Sequence, residues 1–160
     1  MRIYRLCREK YARTQVEAFN GEGAKKMGGR WNPVGMAAAY ASQTASLALL
    51  EMLTNADLED LPADLIFASV AVPDSAKVHR VDMESLPENW RNIDPAPAEL
   101  AHIGSDWLLK NDSLLMQVPS VIIPWEWNYV INPGCPQFDE LKGFEVTPFQ
   151  IDPRLGAHLA

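Results

Sequence analysis

GGRWNPVGMAAAYASQTASLALLE, residues 28–51, sets a glycine-framed arginine, a tyrosine and a single carboxylate in one run. Asn32-Pro33 marks a turn, because the proline ring pushes Asn32 out of the helical region. Met36 to Ala41 is a short apolar run between Gly35 and a capping signal, the length of a buried strand. Ser42 or Thr44 caps the helix that follows, SLALLEML. That helix is apolar nearly all round, which predicts that it is largely buried, and it ends near Thr54-Asn55. Turn, strand and helix thus follow one another closely.

Working outward, Met1 to Leu6 alternates as a short strand, with Ile3 and Arg5 on one face and Tyr4 and Leu6 on the other. Arg8 to Asn20 is polar and mixed, without a strong period. Five of the nine glycines then fall at positions 21, 23, 28, 29 and 35, marking backbone that turns sharply or is approached closely. Leu65 to Val72, LIFASVAV, is apolar on both faces and reads as a central strand. Pro73-Asp74 closes it, and Lys77 to Val81 reads as its neighbour. Asp94-Pro95-Ala96-Pro97 opens a helix continuing through Leu100, Ile103, Trp107 and Leu108. Leu114 to Ile123 is a further strand region, broken by Pro119. Pro124 to Pro136, rich in tryptophan, asparagine and proline, reads as an ordered loop. Phe144 to Ile151 supplies a last strand, placed at an edge by Pro148. Without a regular βαβ beat, the expected class is α+β with a mainly antiparallel or mixed sheet and flanking helices. A chain of 160 residues makes one domain, 1–160.

Apolar residues make up 48% and charged residues 22%, the composition of a folded protein. Fourteen basic against twenty-one acidic side chains leave a net charge of −7. That balance argues against a phosphate-backbone footprint, so no direct nucleic-acid binding is expected. Cys7 and Cys135 form no spacing motif, which favours a reducing compartment over a disulfide scaffold. The N-terminus lacks a signal-peptide pattern and no run has the length of a membrane span. The expected location is cytoplasmic. HExxH, paired CxxC, Walker and GxSxG motifs are missing, and His79, His102 and His158 are scattered, so no metal is expected.

Glu51 is the sharpest anomaly, since Leu47, Ala48, Leu49, Leu50, Met52 and Leu53 around it are all apolar. A buried carboxylate needs a partner or a cleft; a glutamate reaching water from a helix edge is the plainer alternative. Arg30, between glycines and an aromatic ring, suits bidentate binding of phosphate or carboxylate, or is a loop arginine in solvent. Tyr40 ends a strand either as a core aromatic or with its hydroxyl at a rim. Ser120 follows Pro119 and could serve only a local backbone group. Trp31, Trp125 and Trp127 could stack on a ring or simply pack.

Taken in order, Gly28-Gly29-Arg30-Trp31-Asn32-Pro33, Tyr40, Ala48-Leu49-Leu50-Glu51, Val118-Pro119-Ser120, Glu126-Trp127-Asn128-Tyr129 and Asn132-Pro133 resemble the RES domain. The closing Phe149 to Leu155 is similar to that family's C-terminal strand and tail. The arginine, glutamate and serine of the family name fall at Arg30, Glu51 and Ser120. The resemblance implies an ADP-ribosyltransferase-like fold and a toxin of a bacterial toxin–antitoxin pair. It implies NAD⁺ as substrate, cleaved at the nicotinamide–ribose bond by hydrolysis or phosphorolysis, with protein ADP-ribosylation as the alternative. The partner it implies is an Xre-like helix-turn-helix antitoxin that blocks the active site. A histidine that often stands one turn after the glutamate is replaced here by Asn55.

Under that resemblance, Glu51 stabilises the ribosyl cation or orients the attacking water or phosphate, and Arg30 holds the pyrophosphate or incoming anion. Tyr40 packs on nicotinamide or ribose, and Ser120 bonds the ribose or the glutamate. Arg5 is a second phosphate contact and Trp31 a stacking residue. A non-catalytic module binding a nucleotide or a partner through the same cleft is the rival reading.

Overall fold

A computed structural model describes residues 1–54 and 61–155. Among the described residues, seven strands form one mixed sheet. They are β1 (Arg2–Arg8), β2 (Ala39–Ser42), β3 (Leu65–Ala71), β4 (Val78–Arg80), β5 (Leu115–Pro119), β6 (Trp127–Ile131) and β7 (Lys142–Pro148). Their order is β4-β5-β6-β2-β1-β3-β7. All neighbours are antiparallel except β4 and β5. The helices are α1 (Gln15–Phe19), α2 (Glu22–Met27), α3 (Ala45–Leu53) and α4 (Ala98–Lys110). No helix among the described residues is long and apolar enough to cross a membrane.

The sheet has a weak seam. β1 pairs with β3 along its whole length, from Arg2↔Ala71 to Arg8↔Leu65, and β2 pairs with β6 from Ala39↔Ile131 to Ser42↔Asn128. Between β1 and β2 only Tyr4↔Ser42 is in register. Because side chains alternate along a strand, each strand divides its residues between two faces. Ile3, Cys7, Ala39, Ala41, Ile66, Ala68, Val70, Tyr129 and Ile131 point to one face and share a continuous core with Phe19, Phe138 and Leu141. The other face is split. Over β1 and β3, Leu6 and Leu65 meet Ala48 of α3, with Tyr4, Phe67 and Phe149 beside them. Over β5 and β6, Met116, Val118 and Val130 meet Leu100, Trp107 and Leu108 of α4. A cleft opens between these two packed clusters, along the seam.

Several expectations are corrected. Lys77 to Val81 does not neighbour Leu65 to Val72; β4 lies parallel to β5 at the far edge, and β3 sits between β1 and β7. Pro124 to Pro136 is not all loop, since Trp127–Ile131 forms β6, paired on both sides. Its asparagine and tryptophan read as loop signals, yet alternation places Tyr129 and Ile131 in the core. α3 is half-buried rather than enclosed: Leu47 and Ala48 are buried, while Leu50 is 37% exposed. The helix covers one side of the seam only. Thr44, rather than Ser42, caps α3, its side chain accepting from the Leu47 N–H. The short α1, capped by Thr14, arises in the stretch without a strong period, and α2 in the glycine-rich stretch expected to turn sharply.

Candidate active site

The seam cleft encloses about 870 Å³ and is lined by Arg5, Arg30, Tyr40, Ser42, Glu51 and Asn128, among others. Glu51 reaches it because α3 starts directly after β2 and lies against the seam. At residue 51 the helix has made about one and two-thirds turns past its first residue, Ala45. Neighbours one turn back, Leu47 and Ala48, are the buried positions of α3, so Glu51 sits at the boundary between packed face and cleft.

Ser120 supports it from below. This serine is fully buried, and its hydroxyl accepts from the N–H groups of Ile122 and Ile123, both at 3.1 Å. With both acceptor positions used, the one O–H proton goes to Glu51 Oε1 at 2.8 Å. The Ser120 N–H donates to the Glu126 carbonyl at 2.9 Å, closing the loop after β5. Three bonds therefore fix the hydroxyl before any substrate arrives. Asn128 of β6 is a second support, its Nδ2 donating to the same Oε1. Its Oδ1 accepts from Ser42 Oγ at 2.6 Å. Sequence reasoning missed both Asn128 and Ser42 as site residues. The available signal is a lone amide between two aromatic residues, Trp127 and Tyr129, ahead of an apolar run.

Arg30 stands at the tip of a tight turn closed by Gly29 N–H to Asn32 O (2.9 Å) and Asn32 N–H to Gly29 O (3.3 Å). Position 29 must be glycine, because a Cβ there would lie 2.6 Å from the Tyr40 hydroxyl. That hydroxyl accepts from the Trp31 N–H at 3.0 Å and donates to Asn32 Oδ1 at 2.7 Å. Asn32 Nδ2 in turn donates to the carbonyls of Ala24 and Met36, each at 2.9 Å. Tyr40 therefore lines the cleft with its ring and spends its hydroxyl on the arginine turn. Arg30 donates from Nη1 to Trp90 O at 2.9 Å and from Nη2 to Asn92 O at 3.0 Å. Burial lowers its pKa, opposed by the charges of Glu51 and Tyr40; a guanidinium remains a cation in any case. Arg5 reaches across the opened seam to Tyr40 O at 3.4 Å.

Four expected residues, Arg5, Arg30, Tyr40 and Glu51, thus gather at one cleft, with Ser120 directly behind Glu51. Trp31 is the correction. Its side chain is 2% exposed and packed with Leu100 and Trp107, so it lends a wall and has no open face to stack on. The Asn55 position lies outside the described residues, as does His158.

A profile of the RES domain matches residues 2–152. The chain belongs to the RES family. "Toxin Res" of Photorhabdus laumondii is 35% identical over 156 residues, 97% of this chain and 97% of that protein. The "Prs ADP-ribosylating toxin" of a Sphingobium strain is 36% identical over 147 residues, 90% and 91% of the two chains. Among solved structures, a chain of the M. tuberculosis MbcT–MbcA toxin–antitoxin complex superposes with a TM-score of 0.71. That match has 20% identity and covers 99% of this RES domain and 87% of that chain, so it speaks to the fold. The shared architecture is the one the resemblance implied.

Proposed function

We propose that this RES domain is the toxin of a toxin–antitoxin pair and cleaves the nicotinamide–ribose bond of NAD⁺. The observation that carries the reading is the Glu51 carboxylate, held at Oε1 by Ser120 and Asn128 on the wall of a cleft that also presents Arg30 and Arg5. Nicotinamide is a cationic ring in NAD⁺ and leaves as a neutral one. Its departure needs no proton, so the acid of an ordinary glycosidase pair is dispensable and one carboxylate suffices. As the C–N bond breaks, its electron pair goes to the ring and positive charge develops on the ribose. A preoriented carboxylate stabilises that charge without reorganising. Water or phosphate then forms the new C–O bond at the same carbon, with Glu51 placed to accept a proton from water. Arg30, with donors beyond the two used on carbonyls, and Arg5 supply local positive charge for the pyrophosphate. This overcomes the net charge of −7 where it matters.

A second reading is transfer of ADP-ribose to a protein, favoured by the name of the Sphingobium relative. Only the nucleophile differs. The names of the relatives and the MbcT–MbcA complex support an antitoxin as partner, and an Xre-like helix-turn-helix protein is the type we propose. Products separate the routes when purified protein is incubated with NAD⁺, with and without phosphate. ADP-ribose marks hydrolysis, ADP-ribose 1″-phosphate marks phosphorolysis, and a labelled protein marks transfer. Saturable NAD⁺ binding without any of these products would favour a non-catalytic module instead.

A further inference from the structure

Ser42 occupies an unusual place in the sheet. It ends β2, is 3% exposed, and its backbone pairs with Tyr4 on one side and Asn128 on the other. It therefore stands at the one point of register that joins the two halves of the sheet. Its hydroxyl and the Asn128 side chain meet on the cleft face, with Ser42 Oγ donating to Asn128 Oδ1 at 2.6 Å. Asn128 Nδ2 then donates to Glu51 Oε1.

The direction of this chain is set by its far end. An ionised carboxylate only accepts, so the amide must present Nδ2 to Glu51 and Oδ1 to Ser42. Asparagine alone does not enforce that choice, because turning the terminal amide over exchanges its oxygen and nitrogen. The turned amide would set oxygen against oxygen at Glu51.

We propose that Ser42 is a positioning residue: by donating to Asn128 Oδ1 it holds the amide with its N–H on Glu51 and so fixes the carboxylate in the cleft. The inference rests on the reading of Glu51 as the catalytic carboxylate. Ser120 pins Oε1 from one direction, and the Asn128 amide restrains the same oxygen from another. Donation into the amide oxygen also polarises the amide, which strengthens the bond at its nitrogen. Asn128 is half-buried, so removing the Ser42 hydroxyl leaves Oδ1 without its protein donor, and the amide is then free to turn or admit water. A hydroxyl that merely satisfied the core would affect stability and nothing else.

The test has two arms on the full chain. In ¹⁵N-labelled protein, the side-chain amide of Asn128 is assigned by its loss in N128D. One of its protons is expected to resonate downfield through its bond to the carboxylate. S42A should move that proton toward the position of a solvated asparagine, whereas S42T should keep it. In the kinetic arm, S42A should lower kcat for nicotinamide release about tenfold, the scale of one lost hydrogen bond, with KM changed less than about threefold. S42T should stay within about threefold of wild type. Adding S42A to N128A should slow it no more than about twofold, because the two residues act as one unit. An unmoved amide proton in S42A, or an equal loss of kcat from S42A in both backgrounds, would overturn the proposal. If S42A folds poorly, S42C replaces it, its thiol being a weak donor. Should wild-type protein release no nicotinamide, the proposed function fails while the amide spectrum still decides the role of Ser42.

Discussion

At the residue scale, Glu51 was legible because a charge among six apolar neighbours in a helix needs an explanation that burial alone does not offer. Ser120 was legible only through its motif, since serine after proline has many local uses. Asn128 was not legible, because whether an amide meets a carboxylate depends on strand register. E51Q should lower nicotinamide release at least about 100-fold. Its amide oxygen can still accept from Ser120 and Asn128, so the melting temperature should stay within about 3 °C of wild type; calorimetry beside the assay checks both halves. Tyr40 makes a different prediction. Burial raises its pKa above the ordinary value of about 10, opposed by the bond from Trp31 N–H and the charge of Arg30. The folded chain keeps this proton where the unfolded chain has lost it, so the stability it contributes is complete below about pH 10 and declines above it. Y40F also removes two hydrogen bonds of the arginine turn, at a cost of about 1–3 kcal/mol near neutrality. Above about pH 10 the difference should shrink by up to about 1.4 kcal/mol per pH unit, read by urea denaturation. Cys7 and Tyr129, whose pKa values burial also raises, titrate in both proteins and cancel.

At the element scale, the alternation of β1, the run of β3 that is apolar on both faces and the Asp94-Pro95-Ala96-Pro97 start of α4 make these elements legible directly. β6 reads as loop because asparagine, tryptophan and flanking prolines outweigh the short apolar run Tyr129-Val130-Ile131. β4 was assigned the wrong neighbour because proximity in sequence says nothing about a parallel partner reached through α4. Half-burial of α3 follows from the seam, which has no local signature. Contact between α4 and the arginine turn is equally non-local and turns on one glycine. A Cβ at Gly104 would lie 1.7 Å from the Trp31 carbonyl oxygen, whereas one at Gly23 of α2 would meet nothing within 4 Å. G104A should therefore destabilise by about 3 kcal/mol or more. G23A should stabilise by roughly 0.4–1 kcal/mol. Urea denaturation of the pair measures how tightly α4 and the turn are joined.

At the scale of the whole molecule, the site exists because two well-paired half-sheets meet at Tyr4↔Ser42 alone. Each half carries its own helix, and the gap between the helices is the cleft. One half brings Arg5, while the other brings Asn128 and the serine behind Glu51; α3 and the arginine turn complete it from either side of β2. The order of motifs along the chain pointed to this assembly through the RES resemblance, but the seam itself depends on long-range pairing. An NAD⁺-cleaving site is tested at once by nicotinamide release from NAD⁺ by purified, folded protein free of antitoxin. Wild type should release nicotinamide steadily over multiple turnovers, and E51Q should not. No release by folded wild-type protein, or undiminished release by E51Q, would contradict such a site.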